Sequence, residues 1–348
     1  MLRVKKQVIG ELEKCYSLAL LHYQNQDHVL CAAEKQNNCY LINLDGQIEE
    51  TVWEGPGGVM TMVQVPHTNG QFLATRKFYS PNDSKEASLI ICTPRGKNDW
   101  EVRTLTPLPF VHRFDILPAG GKNYLIACAL KSDHAYKDDW RFPGKVFAAE
   151  LPADLSSFSA EHPLSLVPIK EGLLKNHGYT RHTAKDGTVS SVIATDNGIY
   201  QFSPPQKTGD AWRIEQLTTD AASDAVLLDL DGDGVDELCA LAPFHGDVAH
   251  IYHKTAHGYQ VVWTYPEKLE FLHAIWGGEL AGKNTWVIGN RKGERLLLAI
   301  TYENGAYQTQ VLDRGRGAAN VMHYVYQKQD ILIATNRETN EIARYTLS

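Results

Sequence analysis

Short runs of apolar residues that end in polar turns recur along the chain at uneven intervals. Each run has the length of one β-strand, and helical periodicity is almost absent between the runs. Their spacing averages about 50 residues, which is typical of one four-stranded blade per repeat in a β-propeller. The seven runs are HVLCAAEKQN, QFLATRKFYS, YLIACALKSD, SVIATDNGIY, ELCALAPFHG, WVIGNRKGER and ILIATNRETN.

The number of repeats and their length predict an all-β chain that forms one seven-bladed β-propeller domain over residues 1–348. The last repeat contains ANVMHYVY, DILIATN and EIARYTLS, one strand fewer than a blade needs. The N-terminal segment LRVKKQVIGEL precedes the first complete blade, so we expect it to close the ring as the outer strand of the last blade. The alternatives are a β-sandwich or two small β-domains.

The composition is that of an ordinary globular chain and excludes several classes of function. Of the 348 residues 43% are hydrophobic and 22% charged, and the net charge is −7. This balance argues against nucleic acid as a partner, because phosphate contacts need clustered lysines and arginines. No signal-peptide pattern and no run of ~18 apolar residues occurs, so we predict a cytoplasmic protein without a membrane partner. Cys31, Cys128 and Cys239 lie inside apolar runs, which indicates buried thiols and neither a disulfide framework nor a zinc ribbon.

The stretch DLDGDGVDEL, residues 229–238, sets aspartates at alternate positions and a glutamate at the ninth. This is the oxygen-ligand spacing of a calcium loop. Apolar flanks of strand length make it a β-hairpin loop without the helices of an EF-hand. We therefore predict a structural Ca²⁺ or similar hard cation bound by Asp229, Asp231, Asp233 and Glu237. The alternative is a polar hairpin whose aspartates and glycines only form the turn.

Two positions in every propeller blade bring side chains to one opening of the central channel. These are the start of the innermost strand and the loop that follows the second strand. The predicted strand starts contribute His112, His177, Asp224, His273 and Asn320. The predicted loops contribute His134, Asp138, Trp140, His245, Arg291, Lys292 and Arg337. The acidic loop lies on the opposite face, where we expect a structural role.

The histidines of this opening have the chemistry of a transition-metal site, because neutral imidazole suits Zn, Mn, Fe or Ni. We predict that His177, His245 and His273 bind one such divalent metal. Asp224 is then a fourth ligand or a carboxylate that orients a ligand. His112 lies nearer the edge and is a candidate for substrate contact or proton transfer. The alternative is that these histidines are hydrogen-bonded wall residues.

The other side chains of the opening suit a polar, anionic or carbonyl-bearing small molecule. Arg291 and Arg337 can form bidentate contacts with a carboxylate. The alternative is that both arginines are solvated at the loop tips. Trp140, Tyr179 and Trp276 can stack on a sugar ring. The predicted substrate-binding residues are Trp140, Arg291, Arg337, Asn320 and Trp276.

DLDGDGVDEL resembles the acidic loop of FG-GAP and VCBS-type propeller repeats, and the resemblance covers one blade. The histidine-lined mouth of a single seven-bladed propeller is similar in layout to sugar lyases such as oligogalacturonate lyase and the propeller part of aldos-2-ulose dehydratase. This resemblance implies metal-dependent β-elimination next to a carbonyl or carboxylate of a sugar or sugar acid. It also implies that the metal ligands are His177, His245 and His273. The base would be His134, Tyr179 or Lys131.

A second function class stays open on the same motifs. FG-GAP-like propellers also serve as adhesion or interaction modules, so the alternative prediction is a non-catalytic scaffold that binds a ligand or a protein. The two predictions differ in the effect of losing one mouth histidine. An enzyme should lose turnover, whereas a scaffold should lose binding gradually and contain no metal.

Overall fold

The chain folds into seven sheets of four antiparallel strands each. The computed structural model describes residues 2–207 and 209–348, and this part of the chain contains strands and turns but no helix. Accordingly, no helix long and apolar enough to cross a membrane occurs in the described ranges. The protein is an all-β, seven-bladed propeller, as the seven apolar runs predict.

Every blade is built from an innermost strand, two middle strands and an outer strand, in that order across the sheet. The innermost strands are β2 (Cys15–Tyr23), β6 (Met62–Gln64), β10 (Val111–Ala119), β14 (Gly178–Thr183), β18 (Asp224–Leu228), β22 (Leu272–Leu280) and β26 (Asn320–Tyr326). The second strands are β3 (Gln26–Ala33), β7 (Phe72–Arg76), β11 (Lys122–Lys131), β15 (Val189–Thr195), β19 (Glu237–Ala242), β23 (Lys283–Asn290) and β27 (Gln329–Asn336).

The outer half of each blade is less buried and more polar than the inner half. The third strands are β4 (Cys39–Asn43), β8 (Ser88–Gly96), β12 (Pro143–Glu150), β16 (Gly198–Ser203), β20 (Val248–Thr255), β24 (Leu297–Glu303) and β28 (Glu341–Leu347). The outer strands are β5 (Ile48–Trp53), β9 (Asp99–Pro107), β13 (Val167–Leu173), β17 (Arg213–Thr218), β21 (Gly258–Thr264), β25 (Ala306–Asp313) and β1 (Val4–Glu11).

The seventh blade is assembled from both ends of the described chain. β1 pairs antiparallel with β28, so that Val4 lies opposite Leu347 and Glu11 opposite Glu341. The pairing supplies the fourth strand that β26, β27 and β28 lack. It also covers the free edge that β28 would otherwise expose.

The second strands form the core because neighbouring blades cover both of their faces. Continuous apolar runs are expected for such strands, whereas a strand with one wet face alternates. β23 shows this pattern, since all of its last six residues are buried. Its Trp286 and Ile288 pack with Ile251 of the preceding blade. The six cysteines are likewise buried, as free thiols.

Candidate active site

Three blades use the same backbone irregularity where the innermost strand starts. β2, β10 and β22 each shift register at their second residue, so that this residue is left out of the strand pairing. Such a β-bulge re-aims a side chain that regular alternation would direct between the blades. The three bulge residues are Tyr16, His112 and His273. Each follows by two positions a residue with left-handed φ, namely Lys14, Phe110 and Phe271.

Two further histidines complete a group that we call the axial cluster. His177 directly precedes β14, and His245 lies in the loop between β19 and β20 with a left-handed φ of 50°. The ring of His245 is stacked between Phe244 and Phe271, with centroid distances of 3.9 and 4.4 Å. The axial cluster consists of Tyr16, His112, His177, His245 and His273.

Backbone carbonyl groups fix the orientation of three of the imidazoles. Nδ1 of His112 lies 3.0 Å from the carbonyl of His177, and Nδ1 of His177 lies 3.1 Å from that of Ser223. Nδ1 of His273 lies 2.7 Å from the carbonyl of Ala319. Each acceptor directly precedes the innermost strand of the next blade. Because a carbonyl only accepts, Nδ1 carries the hydrogen in each ring and the lone pair is on Nε2.

The candidate ligand atoms of three imidazoles converge. Nε2 of His177 lies 3.3 Å from Nε2 of His245, and the candidate ligand atoms of His177, His245 and His273 all lie within 4.8 Å of one another. The carboxylate of Asp224 is buried and places Oδ2 3.1 Å from Nδ1 of His177. A carboxylate behind a ligating imidazole is a common feature of metal sites. The donor set therefore fits a borderline divalent metal such as zinc.

The electrostatic environment favours the uncharged form of three of the imidazoles. Burial lowers the pKa of His112, His245 and His273 well below the usual histidine value. Positive charge on neighbouring imidazoles and on Arg113 and Arg291 lowers these pKa values further. Neutral imidazole is the form that binds a metal or accepts a proton.

An arginine crosses the channel beside the axial cluster. Arg113 of the third blade donates from Nη1 to the carbonyl of Met60 at 2.7 Å and from Nη2 to Oδ1 of Asn320 in the seventh blade at 3.3 Å. Its guanidinium lies 5.7 Å from the ring centre of Tyr16, and the amide of Asn320 donates to the Tyr16 carbonyl at 2.8 Å. The hydroxyl of Tyr16 donates to Nε2 of His273 at 3.1 Å. Burial raises the pKa of Tyr16 to about 12, against the charge of Arg113.

Among the predicted site residues, Trp140 and Lys131 lie beside the axial cluster. Trp140 meets Phe244, which stacks on His245, at a centroid distance of 5.3 Å. The Lys131 ammonium lies 4.3 Å from the ring centre of Trp140 and donates to the carbonyl of Asp139 at 3.1 Å. Burial lowers the pKa of Lys131, with Asp139 opposing. These two residues form one wall of the mouth.

The two predicted carboxylate-binding arginines already hold carboxylates of the protein. Arg291 donates from Nε and Nη2 to Glu338 at 2.9 and 2.7 Å. Arg337 donates to the same Glu338 at 2.8 Å and forms an ion pair with Glu34. The side chains of Arg291 and Arg337 are only 11% and 12% exposed, so they are neither solvated loop tips nor free forks. They support the mouth, and in addition to burial the charge of Arg291 lowers the pKa of His245 and His273.

Three predicted site residues lie apart from the axial cluster. The Tyr179 hydroxyl donates to Asp115 at 3.1 Å between the third and fourth blades. Trp276 packs against His323 at 5.0 Å between the sixth and seventh blades. His134 meets the edge of Phe110 at 5.8 Å and lines a pocket of about 240 Å³ at the surface. Their neighbours give Tyr179 and Trp276 packing roles.

The acidic loop brings together three of its four predicted ligands. Asp231, Asp233 and Glu237 lie close to His253 of β20, while Asp229 forms an ion pair of 2.9 Å with Lys185. Burial raises the pKa of the Glu237 carboxyl to about 7. The spacing of the acidic motif does not indicate that His253 joins this group.

Sequence reasoning also missed Tyr16, Arg113, Phe244 and Phe271. A signal existed for Tyr16. CYSLALL at the start of β2 and VHRFDIL at the start of β10 each place an aromatic residue at the second position of an innermost strand. Arg113 follows His112 directly, but only the tertiary structure shows that it crosses the axis.

The fold and the axial cluster define the class of protein: a seven-bladed β-propeller with imidazole groups gathered on its axis. A structure of streptogramin B lyase is similar over 100% of this chain and 98% of its own, with a TM-score of 0.59 and 14% identity. The Cps50 (Swd1) propeller domain of Myceliophteria thermophila covers 99% and 100%, with a TM-score of 0.58 and 9% identity. An auxiliary nutrient binding protein from Bacteroides thetaiotaomicron covers 97% and 70%, with a TM-score of 0.54 and 13% identity.

These likenesses show the propeller fold alone, because the identities are low. No protein-family model and no curated protein matches the sequence.

Proposed function

We propose that the protein is a metal-dependent lyase that removes an oxygen leaving group by β-elimination, next to a carbonyl or carboxylate of a sugar derivative. The observation that carries the proposal is the convergence of the His177, His245 and His273 ligand atoms within 4.8 Å. Propeller folds host many functions, so the argument comes from the site. One of the similar propellers is named a lyase, which is compatible with this reaction class.

His177, His245 and His273 would hold the metal. A divalent ion bound there supplies a Lewis acid that polarises a carbonyl or carboxylate oxygen and so acidifies the adjacent C–H bond. Asp224 supports His177 from behind by accepting its Nδ1–H. The hydroxyl of Tyr16 competes for the same lone pair of His273 that the ion needs.

His112 is the best-placed proton acceptor of the axial cluster. Its Nδ1–H is anchored on the His177 carbonyl, so its Nε2 carries a lone pair, and its ring centre lies 4.4 Å from that of His177. His112 would take the proton from the carbon next to the carbonyl. The C–H electrons then form the C=C bond as the C–O bond to the leaving group breaks. Tyr16, protonated at neutral pH, would give its proton to the departing oxygen.

The mouth suits an anionic ring compound. Lys175 lies 5.3 Å from the ring centre of Phe244, and Lys292 lies 5.1 Å from that of Phe271. Together with Lys131 they set ammonium groups around aromatic faces. A sugar acid would fit such a mouth, because its ring can stack on the aromatic faces and its carboxylate can bind the ammonium groups.

The test combines metal analysis with an elimination assay. The full chain should contain a transition metal and should generate ultraviolet-absorbing unsaturated products from a panel of uronic-acid oligosaccharides. His273→Ala should lose the activity and the metal ion bound by the axial cluster, while any ion held by Asp231, Asp233, Glu237 and His253 remains. The matched control is His182→Gln, because His182 lies on β14 and contacts Asp236 outside the axial cluster. Full metal content and full activity in His273→Ala would sink the proposal.

A scaffold that binds a ligand without turning it over is the second candidate. The observation in its favour is that Arg291 and Arg337 are held by Glu338 and Glu34, which leaves fewer free cations for a substrate. In that case the axial histidines are wall residues. Ligand binding that survives His112→Asn and Tyr16→Phe, with no product formed by any variant, would identify a scaffold.

A further inference from the structure

The second cluster of possible ligands lies at the end of the fifth blade that is remote from His245. It consists of Asp231, Asp233, Glu237 and His253, and we call it the distal cluster. The three carboxylates come from the turn between β18 and β19 and from the first residue of β19. His253 projects from β20, the next strand of the same sheet.

Asp229, which the loop spacing predicts as a ligand, already has other partners. Its Oδ2 lies 2.9 Å from the ammonium of Lys185, which comes from the neighbouring blade. Its two oxygens also accept the backbone N–H of Gly234 at 3.1 and 3.2 Å. The carboxylate is therefore neutralised by protein groups before any cation arrives.

His253 joins the remaining carboxylates. Its Nε2 lies 3.1 Å from Oδ2 of Asp233, 3.4 Å from Oε1 of Glu237 and 3.9 Å from Oδ2 of Asp231. Ligands about 2.1 Å from a shared ion are separated from one another by roughly 3.0–3.4 Å in octahedral or tetrahedral geometry. Two of the three separations are already in this range.

Glu237 gives an independent sign that the distal cluster receives a ligand. Its side chain is fully buried, and its Oε2 accepts the backbone N–H groups of Leu230 at 2.6 Å and Asp231 at 3.2 Å. Its Oε1 faces His253 but finds no hydrogen-bond donor among the described residues. A buried carboxylate oxygen without a partner is costly, and a cation at this point would remove that cost.

We infer that the distal cluster binds a transition metal of the Zn²⁺ or Mn²⁺ class through Asp231, Asp233, Glu237 and His253, in place of the Ca²⁺ that the loop motif indicates. Ca²⁺ takes six to eight oxygen ligands, whereas three carboxylates and one imidazole form a smaller, mixed set. Asp229 is occupied by Lys185, which removes an oxygen ligand, and His253 adds a nitrogen ligand. Both changes favour a transition metal over Ca²⁺. The inference does not depend on the proposed function.

The experiment uses the full chain with His245→Ala, which removes one axial ligand so that the remaining binding reports on the distal cluster. The protein is stripped with a chelator and titrated separately with Zn²⁺, Mn²⁺ and Ca²⁺ in a calorimeter. Zn²⁺ or Mn²⁺ should bind at one ion per chain and more tightly than Ca²⁺. Adding His253→Gln should weaken that binding at least ~100-fold, since loss of a residue merely supporting a ligand costs 10–100-fold.

Asp229→Asn is the matched control, because it removes the same charge as Asp233→Asn from the same turn. It should leave Zn²⁺ and Mn²⁺ affinity unchanged, while Asp233→Asn weakens it. Two results overturn the inference. One is Ca²⁺ binding that equals or exceeds the binding of both transition metals. The other is a loss in Asp229→Asn as large as that in Asp233→Asn. Each variant is checked for its unfolding transition, so a misfolded protein is not mistaken for an empty site.

Discussion

The two ends of the fifth blade carry donor sets of opposite electrostatic character. At one end His245 joins the imidazoles of His177 and His273, near the positive charges of Arg113 and Arg291. At the other end His253 joins three carboxylates. Both groups consist of side chains that metals accept. They differ in the charge that an arriving cation meets.

This difference assigns different roles to the two ends. A cation among neutral imidazoles keeps most of its positive charge, so it remains a strong Lewis acid and attracts an anionic substrate. A cation among three carboxylates is neutralised by its ligands, which favours tight binding and weakens its power to polarise a substrate. We therefore expect chemistry at the axial cluster and stabilisation at the distal cluster.

The largest effect that would sharpen this contrast is expected from Tyr16→Phe. Removing the proposed proton donor should lower kcat by about 10²–10⁴-fold. Axial metal affinity should be unchanged or higher, because the hydroxyl no longer competes for the lone pair of His273. Steady-state kinetics and metal titration of the same preparation measure both quantities. Loss of metal together with activity would show instead that Tyr16 is a ligand or only holds His273 in place.

Metal removal should affect stability mainly through the distal cluster. At a free-metal concentration of one hundred times the dissociation constant, linkage adds about 2.7 kcal/mol to the free energy of unfolding. Zn²⁺ should therefore restore this stability to stripped His245→Ala protein and not to the stripped double variant that carries both His245→Ala and Asp233→Asn. Urea unfolding with and without metal measures the difference. An equal gain in both variants would place the stabilising ion elsewhere.

The pH dependence of the metal-free protein tests the axial end by itself. Because His112, His245 and His273 have folded pKa values well below 6.5, the unfolded chain takes up protons first as the pH falls. Stability is then full above about pH 7 and falls as the pH drops through 6.5, by up to about 1.4 kcal/mol per pH unit for each histidine. Urea unfolding at several pH values measures the slope. His112→Asn should reduce the slope of the unfolding free energy against pH. An unchanged slope would contradict the lowered pKa of His112.

The smallest effect is expected from Lys185→Ala. The Lys185 side chain is largely solvated, so loss of the Lys185–Asp229 pair should hardly change the free energy of unfolding. The released Asp229 carboxylate should nevertheless raise the affinity of the distal cluster for Ca²⁺ and narrow its preference for Zn²⁺. Calorimetry with both ions measures this. Unaltered Ca²⁺ affinity would mean that Lys185 does not set the metal preference.

The sequence predicts the fold well because the second strand of every blade is covered on both faces and must be apolar. The runs WVIGN and ILIATN are examples, because all of their residues are buried in second strands. The convergence of His177, His245 and His273 follows from the geometry of a propeller once blades are counted. Blade order is therefore enough to locate most of the axial cluster.

The other contacts depend on details that strand patterns do not carry. A bulge of one residue decides that Tyr16 and His273 meet, while Tyr179, on a regularly paired strand, turns between two blades. The partners of Arg291 and Asp229 come from neighbouring blades, so neither ion pair is visible in local sequence. His253 lies on β20, outside the calcium motif, so the motif alone does not show that His253 takes the place of Asp229 among the proposed ligands.

The pairing of β1 with β28 has a consequence for how the ring is completed. Lys6 and Glu341 are hydrogen-bonded at 3.1 Å although 335 positions separate them along the chain. The outermost strand of the seventh blade must therefore wait until the strands it pairs with have been made, and such distant pairing slows folding. Until then β28 has an unpaired edge, to which β1 of a second copy of the chain can pair. We therefore expect domain swapping of β1 between two copies as the main form of misassembly. The swapped fraction should increase with protein concentration during refolding.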